Sequence, residues 1–134
     1  MILVMDANAL IALLLDEPGG RSVGEMLNDQ ANSCFIHAVN LFEVYYDFLR
    51  ISGEATANQV MADLISTRLA VREDMDPEFW QTAGKHKAAL RRISLADCFC
   101  ISLASRVGGE VVTADRREFE PVRHQGICPI KFIR

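Results

Sequence analysis

Cysteine motifs, histidine and long apolar runs are all scarce in this chain, and each shortage removes a class of protein. The four cysteines (Cys34, Cys98, Cys100 and Cys128) form no C-x-x-C pair, and Cys98 and Cys100 lie among apolar neighbours, where buried thiols are common. We read them as structural thiols in a reducing cytoplasm, which argues against a disulfide framework and a structural zinc site. His37, His86 and His124 stand in no catalytic motif, so no Ser-His-Asp or Cys-His arrangement competes for the chemistry. The longest apolar stretch, Ala9 to Leu15, is far shorter than the roughly 20 residues of a membrane-spanning helix. The N-terminus lacks a basic n-region and a small-residue cleavage site, and the expectation is a soluble, unexported, cytoplasmic protein with no membrane partner. A basic excess is missing too. The formal net charge of −4 tells against nonspecific, backbone-driven nucleic-acid binding. It does not exclude a nucleic-acid enzyme, because carboxylates that hold a divalent cation lower the formal charge of the metal-free chain.

What is present suffices for one compact domain over residues 1–134: half of the residues are hydrophobic. Met1 to Met5 is an apolar run ended by Asp6 and reads as a buried strand. Helical composition follows over Ala7 to Leu15, broken at Glu17-Pro18-Gly19-Gly20, and a second helix is expected at Ser22 to Asn28. Cys34-Phe35-Ile36 is the next strand candidate. Leu41, Val44, Tyr45 and Phe48 fall at helical spacing within Asn40 to Ile51, and Ser52-Gly53 stops them. Another helix is expected from Ala55 to Arg68, then a strand at Leu69-Ala70-Val71. Asp76-Pro77-Glu78 opens a helix reaching about Arg91, with proline at its first position. Ser94 to Val107 forms a further helix ended by Gly108-Gly109. Glu110 to Thr113 and Ile130 to Ile133 complete five strands. Strands alternating with helices indicate an α/β sandwich around a mainly parallel sheet.

In such a sheet, ligands bind outside the carboxyl ends of the strands. Asp6 ends the first strand and Asp115 lies just past the fourth, so both belong to that edge. Glu43 and Asp97 occupy early turns of helices that begin there. Each acid has a plainer explanation. Asn40-Leu41-Phe42-Glu43 and Ser94-Leu95-Ala96-Asp97 match a capping box, and Asp6 and Asp115 suit turns or N-caps. Convergence speaks for more than capping, because several unpaired carboxylates sharing a small, partly buried space are costly without a cation or bound protons. Hard divalent cations take oxygen ligands, and Mg²⁺ binds one or two carboxylates directly and keeps water for the rest. The chemistry that suits this set is phosphodiester hydrolysis.

Leu3-Val4-Met5-Asp6-Ala7-Asn8, Asn40-Leu41-Phe42-Glu43-Val44, Ser94-Leu95-Ala96-Asp97-Cys98 and Val111-Val112-Thr113-Ala114-Asp115 with Phe119 together resemble the PIN-domain family, specifically its VapC-like toxins of prokaryotic toxin–antitoxin pairs. The four segments span nearly the whole chain. The resemblance implies a three-layer sandwich with a five-stranded parallel sheet, Mg²⁺-dependent endoribonuclease activity with Mn²⁺ as substitute, a homodimer, and a cognate antitoxin that inhibits it. It maps Asp6, Glu43, Asp97 and Asp115 to the acidic quartet that holds metal, with Asn8 supporting the first acid and Thr113 the fourth. The family often has Ser or Thr where Asn8 stands, and a further acid after the fourth would here be Glu118 or Glu120.

Basic residues near the quartet are candidates for phosphate contact: Arg116 and Arg117 beside Asp115, and Lys85, Lys87, Arg91 and Arg92 along one helix. A solvated charged face is the plainer reading of the helical group. Phe42, Tyr45, Tyr46 and Phe48 suit core or subunit interface better than base stacking, and Phe79 and Trp80 are expected to pack under the following helix. Two other classes compete. An aspartyl-phosphate phosphatase with Asp6 as nucleophile would want an acid two residues later, where Asn8 stands. A phosphoacceptor signalling domain would want paired acids after the first strand and an acceptor closing the third, where Glu73-Asp74 is a poor match. Within the same fold, the alternatives are an RNA-processing nuclease without a toxin role, or a protein that binds RNA or a partner without cutting.

Overall fold

In the computed structural model, which describes residues 1–134, β1 (Ile2–Met5), β2 (Ser33–His37), β3 (Ala70–Arg72), β4 (Glu110–Thr113) and β5 (Ile130–Phe132) form one sheet. Its order is β3-β2-β1-β4-β5, and every neighbouring pair is parallel. The expectation of a mainly parallel sheet is met in full. The seven helices are α1 (Ala7–Leu14), α2 (Gly20–Asn28), α3 (Ala38–Ser52), α4 (Glu54–Ile65), α5 (Pro77–Leu90), α6 (Leu95–Val107) and α7 (Arg116–His124). No helix is long and apolar enough to cross a membrane.

Alternation along the strands builds two cores. Leu3 and Met5 face one side with Ile36 and Val112, where Leu10, Val23, Val44, Phe48, Val60 and Leu64 cover them. Val4 and Val111 face the other, under Phe79, Ile101, Leu103, Phe119 and Val122. The molecule is thus three layers: α1 to α4, the sheet, and α5 to α7. Both faces being covered explains why the strands read as unbroken apolar runs rather than alternating ones. All four cysteines are buried and unpaired.

From β1 the chain steps outward to β2 and β3, then returns to the other side of β1 for β4 and β5. The reversal leaves a crevice at the carboxyl ends of β1 and β4, the place where open parallel sheets bind ligands. Asp6 and Asp115 follow these two strands.

Two local readings need correction. α3 starts at Ala38, two residues before the expected cap, because the His37 imidazole accepts the Val39 N–H at 3.1 Å and caps the helix. Asn40 is therefore buried inside α3 and is no N-cap. α7 was not anticipated: its apolar content is low and Pro121 interrupts it, yet Asp115 caps it and Phe119 and Val122 anchor it in the core.

Candidate metal centre

Asp6 is wholly buried. One carboxylate oxygen caps α1 by accepting the Ala9 N–H at 2.8 Å, and the other accepts the Thr113 hydroxyl at 2.6 Å. Burial pushes its pKa up to about 7, against the opposing effect of these two hydrogen bonds; repulsion from Asp115 and Glu43 adds to the rise. The Thr113 oxygen also accepts the Asp115 N–H at 2.9 Å. Thr113 thus joins the first acid to the backbone of the fourth. Asn8, in the first turn of α1, makes no side-chain hydrogen bond to an acid, so the support expected from it comes from Thr113.

The Asp115 carboxylate caps α7 through the Glu118 N–H at 3.0 Å, which sets Glu118 in the first helical turn. Ser94 caps α6 in the expected way, its hydroxyl accepting the Asp97 N–H at 3.2 Å. The reciprocal half of that box is not made by Asp97. Glu118 takes the Ser94 N–H instead, at 3.3 Å, which leaves the Asp97 carboxyl free of capping duty. Oxygens of Asp97, Asp115 and Glu118 lie within 4.8 Å of one another.

None of the ion pairs in the protein reaches these three acids. Burial raises the pKa of Asp97 far above the carboxylate range, helped by its hydrogen bond to Glu118 and by repulsion from Asp6. Close, desolvated like charges of this kind are costly without a cation to neutralise them. An oxygen-only donor set without a neutralising cation fits a hard divalent metal ion.

Glu43 lies outside this trio. It is half-buried on α3, and its pKa is raised by burial and then by repulsion from Asp47 and Glu118. Because His37 caps α3, Glu43 has no capping role to lose. Glu43→Gln should therefore raise the melting temperature of the metal-free protein by a few degrees, about 1 kcal/mol of relieved strain, and weaken the stabilisation given by Mg²⁺. A lower metal-free melting temperature with an unchanged Mg²⁺ response would detach Glu43 from the site. One α3 residue does reach the α6 start directly: Asn40 donates to the Ala96 carbonyl at 3.1 Å, beside Asp97.

A cavity of about 630 Å³ opens beside two of the three acids, Asp115 and Glu118, which line it with Leu90, Arg92, Ile93, Arg117 and Pro121. Of the four arginines singled out from the sequence, Arg92 and Arg117 line it and Arg91 and Arg116 do not. Arg116 is engaged elsewhere: its guanidinium donates to the Arg134 main-chain oxygen at 2.8 Å, pairs with Glu120 at 3.1 Å and lies over Phe132. That pairing, with His124 close by, also keeps Glu120 out of the centre. Of the two candidates it is Glu118 that lies with Asp97 and Asp115, and its signal in the sequence is the three-residue step from Asp115, the spacing of a capping box. Of the aromatic pair on α5, Phe79 is buried and stacks on His37, while Trp80 is half-exposed. Asp74, after β3, is bound by Arg72 at 2.9 Å and Arg106 at 3.0 Å and is no free phosphoacceptor.

A three-layer sandwich whose acids collect at the strand-order reversal defines an α/β domain with a carboxylate cluster that could hold a metal ion. The PIN domain model matches residues 3–124, and the chain belongs to the PIN-domain family. Solved structures share the fold. VapBC2 from Rickettsia felis, bound to a DNA fragment from its promoter, is similar with a TM-score of 0.77 at 17% identity, over 98% of each chain. DNA-bound VapBC from Salmonella typhimurium is similar with 0.76 at 21% identity, over 100% of this chain and 99% of that one. VapC20 from Mycobacterium tuberculosis, a sarcin-ricin loop cleaving toxin, is similar with 0.67 at 15% identity, over 90% and 94%. No curated protein matches the chain.

Proposed function

We propose that this protein is a Mg²⁺-dependent endoribonuclease, with Mn²⁺ able to substitute, and that it acts as the toxin of a toxin–antitoxin pair. The observation that carries the reading is the Asp97, Asp115 and Glu118 trio, free of ion pairs, two of whose members line a cavity together with Arg92 and Arg117. The three acids would hold the metal, with Asp6 and Glu43 flanking them as the remainder of the quartet. Bound there, the ion would supply Lewis-acid stabilisation of phosphoryl charge and acidify a water near the scissile bond. The protein's own residues do the rest. Thr113 fixes Asp6 and the start of α7 together, Ser94 orients Glu118, and Asn40 ties α3 to the α6 start. Arg92 and Arg117 would bind phosphates flanking the scissile one, with Arg117 beside Asp115 in sequence.

The similar structures named VapBC are toxin–antitoxin complexes with DNA, and one similar chain is named as an RNA-loop cleaving toxin; these support the toxin role and an antitoxin partner. An anionic centre in a −4 chain suits an inhibitor whose Arg or Lys enters it. The exposed, mutually stacked Phe42 and Tyr46 offer an apolar surface for a protein partner or a homodimer. Purified protein should cleave single-stranded or loop RNA with Mg²⁺ or Mn²⁺ and leave double-stranded DNA intact, because no element is shaped to read a DNA groove. Excess EDTA should abolish cleavage. Activity that survives the chelator would require a different mechanism.

A further inference from the structure

The turn between α5 and α6 is strained. Arg91 has φ +56° and ψ −53°, and the Leu90 carbonyl accepts the Arg92 N–H at 2.5 Å. Leu90-Arg91-Arg92 is thus a γ-turn with a positive central φ, a rare conformation that a non-glycine residue adopts at a cost. Such strain persists only where the surroundings over-determine it.

Lys87 supplies that determination. Its carbonyl accepts the Arg91 N–H at 3.0 Å, and its ammonium returns to the Arg91 carbonyl at 3.0 Å and the Ile93 carbonyl at 2.6 Å. It pairs with no carboxylate. The grip spans the strained residue and the one beyond Arg92. Leu90, Arg92 and Ile93 all line the acidic cavity, facing Arg117 and Glu118, while Ile93 is buried as the turn's anchor. Lys87 keeps its charge but does not line the cavity; with its ammonium on two carbonyls, it fixes where Arg92 stands.

We propose that Lys87 is a positioning residue for substrate binding: by holding the Leu90-Arg91-Arg92 γ-turn, it keeps Arg92 over the cavity, where Arg92 binds a phosphate of the RNA. This rests on the ribonuclease reading above. Lys87 acts through Arg92, so its removal should change binding and salt dependence and spare the chemical step.

The test is steady-state cleavage of a single-stranded oligoribonucleotide in Mg²⁺ at several KCl concentrations. Lys87→Met, which keeps the aliphatic stem, should raise KM about tenfold, the worth of one charged hydrogen bond, with kcat within about twofold of wild type. The log–log salt slope of kcat/KM should flatten by about 0.7, the loss of one phosphate contact on a single strand. Arg92→Gln should do the same, and the double variant should be no worse than either single one. Lys87→Arg should restore binding. Additive losses would mean that Lys87 touches RNA itself, and an unchanged KM would mean that Arg92 needs no such support; either overturns the proposal. A second cycle covers a poorly folding Lys87→Met. In an Arg91→Gly background the turn carries no Cβ strain, so Lys87→Met should raise KM less than in wild type, and an equal rise would contradict the clamp. A wild-type protein that cleaves no RNA overturns the ribonuclease reading; one that cleaves while Lys87→Met is indistinguishable from it overturns this inference alone.

Discussion

Replacing Asp97 by asparagine is expected to lower RNA cleavage by more than a hundredfold, since even the outer partners of metal ligands are worth about 10–100-fold. The same change should remove the growth arrest caused by expressing the protein without a partner. Asp97 is the member of the trio whose carboxyl is spared capping work: Ser94 caps α6 and Glu118 takes the Ser94 N–H. Nothing in the fold uses its charge. Asparagine keeps the shape and removes a buried group that the metal-free protein holds protonated, so the variant should stay soluble and melt no lower than wild type. Asp6→Asn should also silence the protein, through the Thr113 bridge to the Asp115 backbone. Undiminished toxicity in both soluble variants would rule out this centre as its cause.

The second large effect is on pH. Asp6 titrates near pH 7 when folded and near 3.8 when unfolded, so between these values the folded state keeps a proton that the unfolded chain has lost. Stability from this group is whole below about pH 4 and is lost as pH rises through 7, in all about 4 kcal/mol for roughly three pKa units. Asp97 acts in the same direction. Asp74, held low chiefly by its hydrogen bond from Arg72, acts in the opposite sense, its contribution being lost as pH falls below the carboxylate range. Metal-free protein should therefore be most stable near pH 5 and lose about 10 °C or more of melting temperature by pH 8. Mg²⁺ should reverse that loss, because it binds the deprotonated acids of the folded state only. Differential scanning calorimetry in EDTA and in Mg²⁺ across this range checks both signs. A metal-free melting temperature that rises from pH 5 to 8 would contradict the burial of these carboxyls.

These effects trace to features with unequal visibility in the sequence. The strands were legible because both sheet faces are covered, which leaves apolar runs bounded by Asp6, Gly109 and Asp115. Ser94 as a cap was legible from its three-residue step to Asp97. The step from Asn40 to Glu43 has the same form but no capping role, because the His37 imidazole immediately before the helix already caps its first turn, and the pattern does not distinguish a cap from a buried residue that bonds another helix. α7 was hidden by Pro121 and a run of charges. Without α7, Glu118 could be named only as one of two candidates, and Arg116 could not be seen to turn toward Phe132. The γ-turn at Arg91 leaves no trace in composition, since arginine is not a residue expected at positive φ.

The most direct test of the centre is anomalous diffraction from crystals of the protein soaked in Mn²⁺ at about pH 8, above the folded pKa of Asp6. A single metal centre at the β1–β4 crevice predicts an anomalous peak among Asp97, Asp115 and Glu118 that is absent from Asp97→Asn crystals. A saturated Mn²⁺ peak elsewhere, or none at this trio in a protein that cleaves RNA, would contradict it.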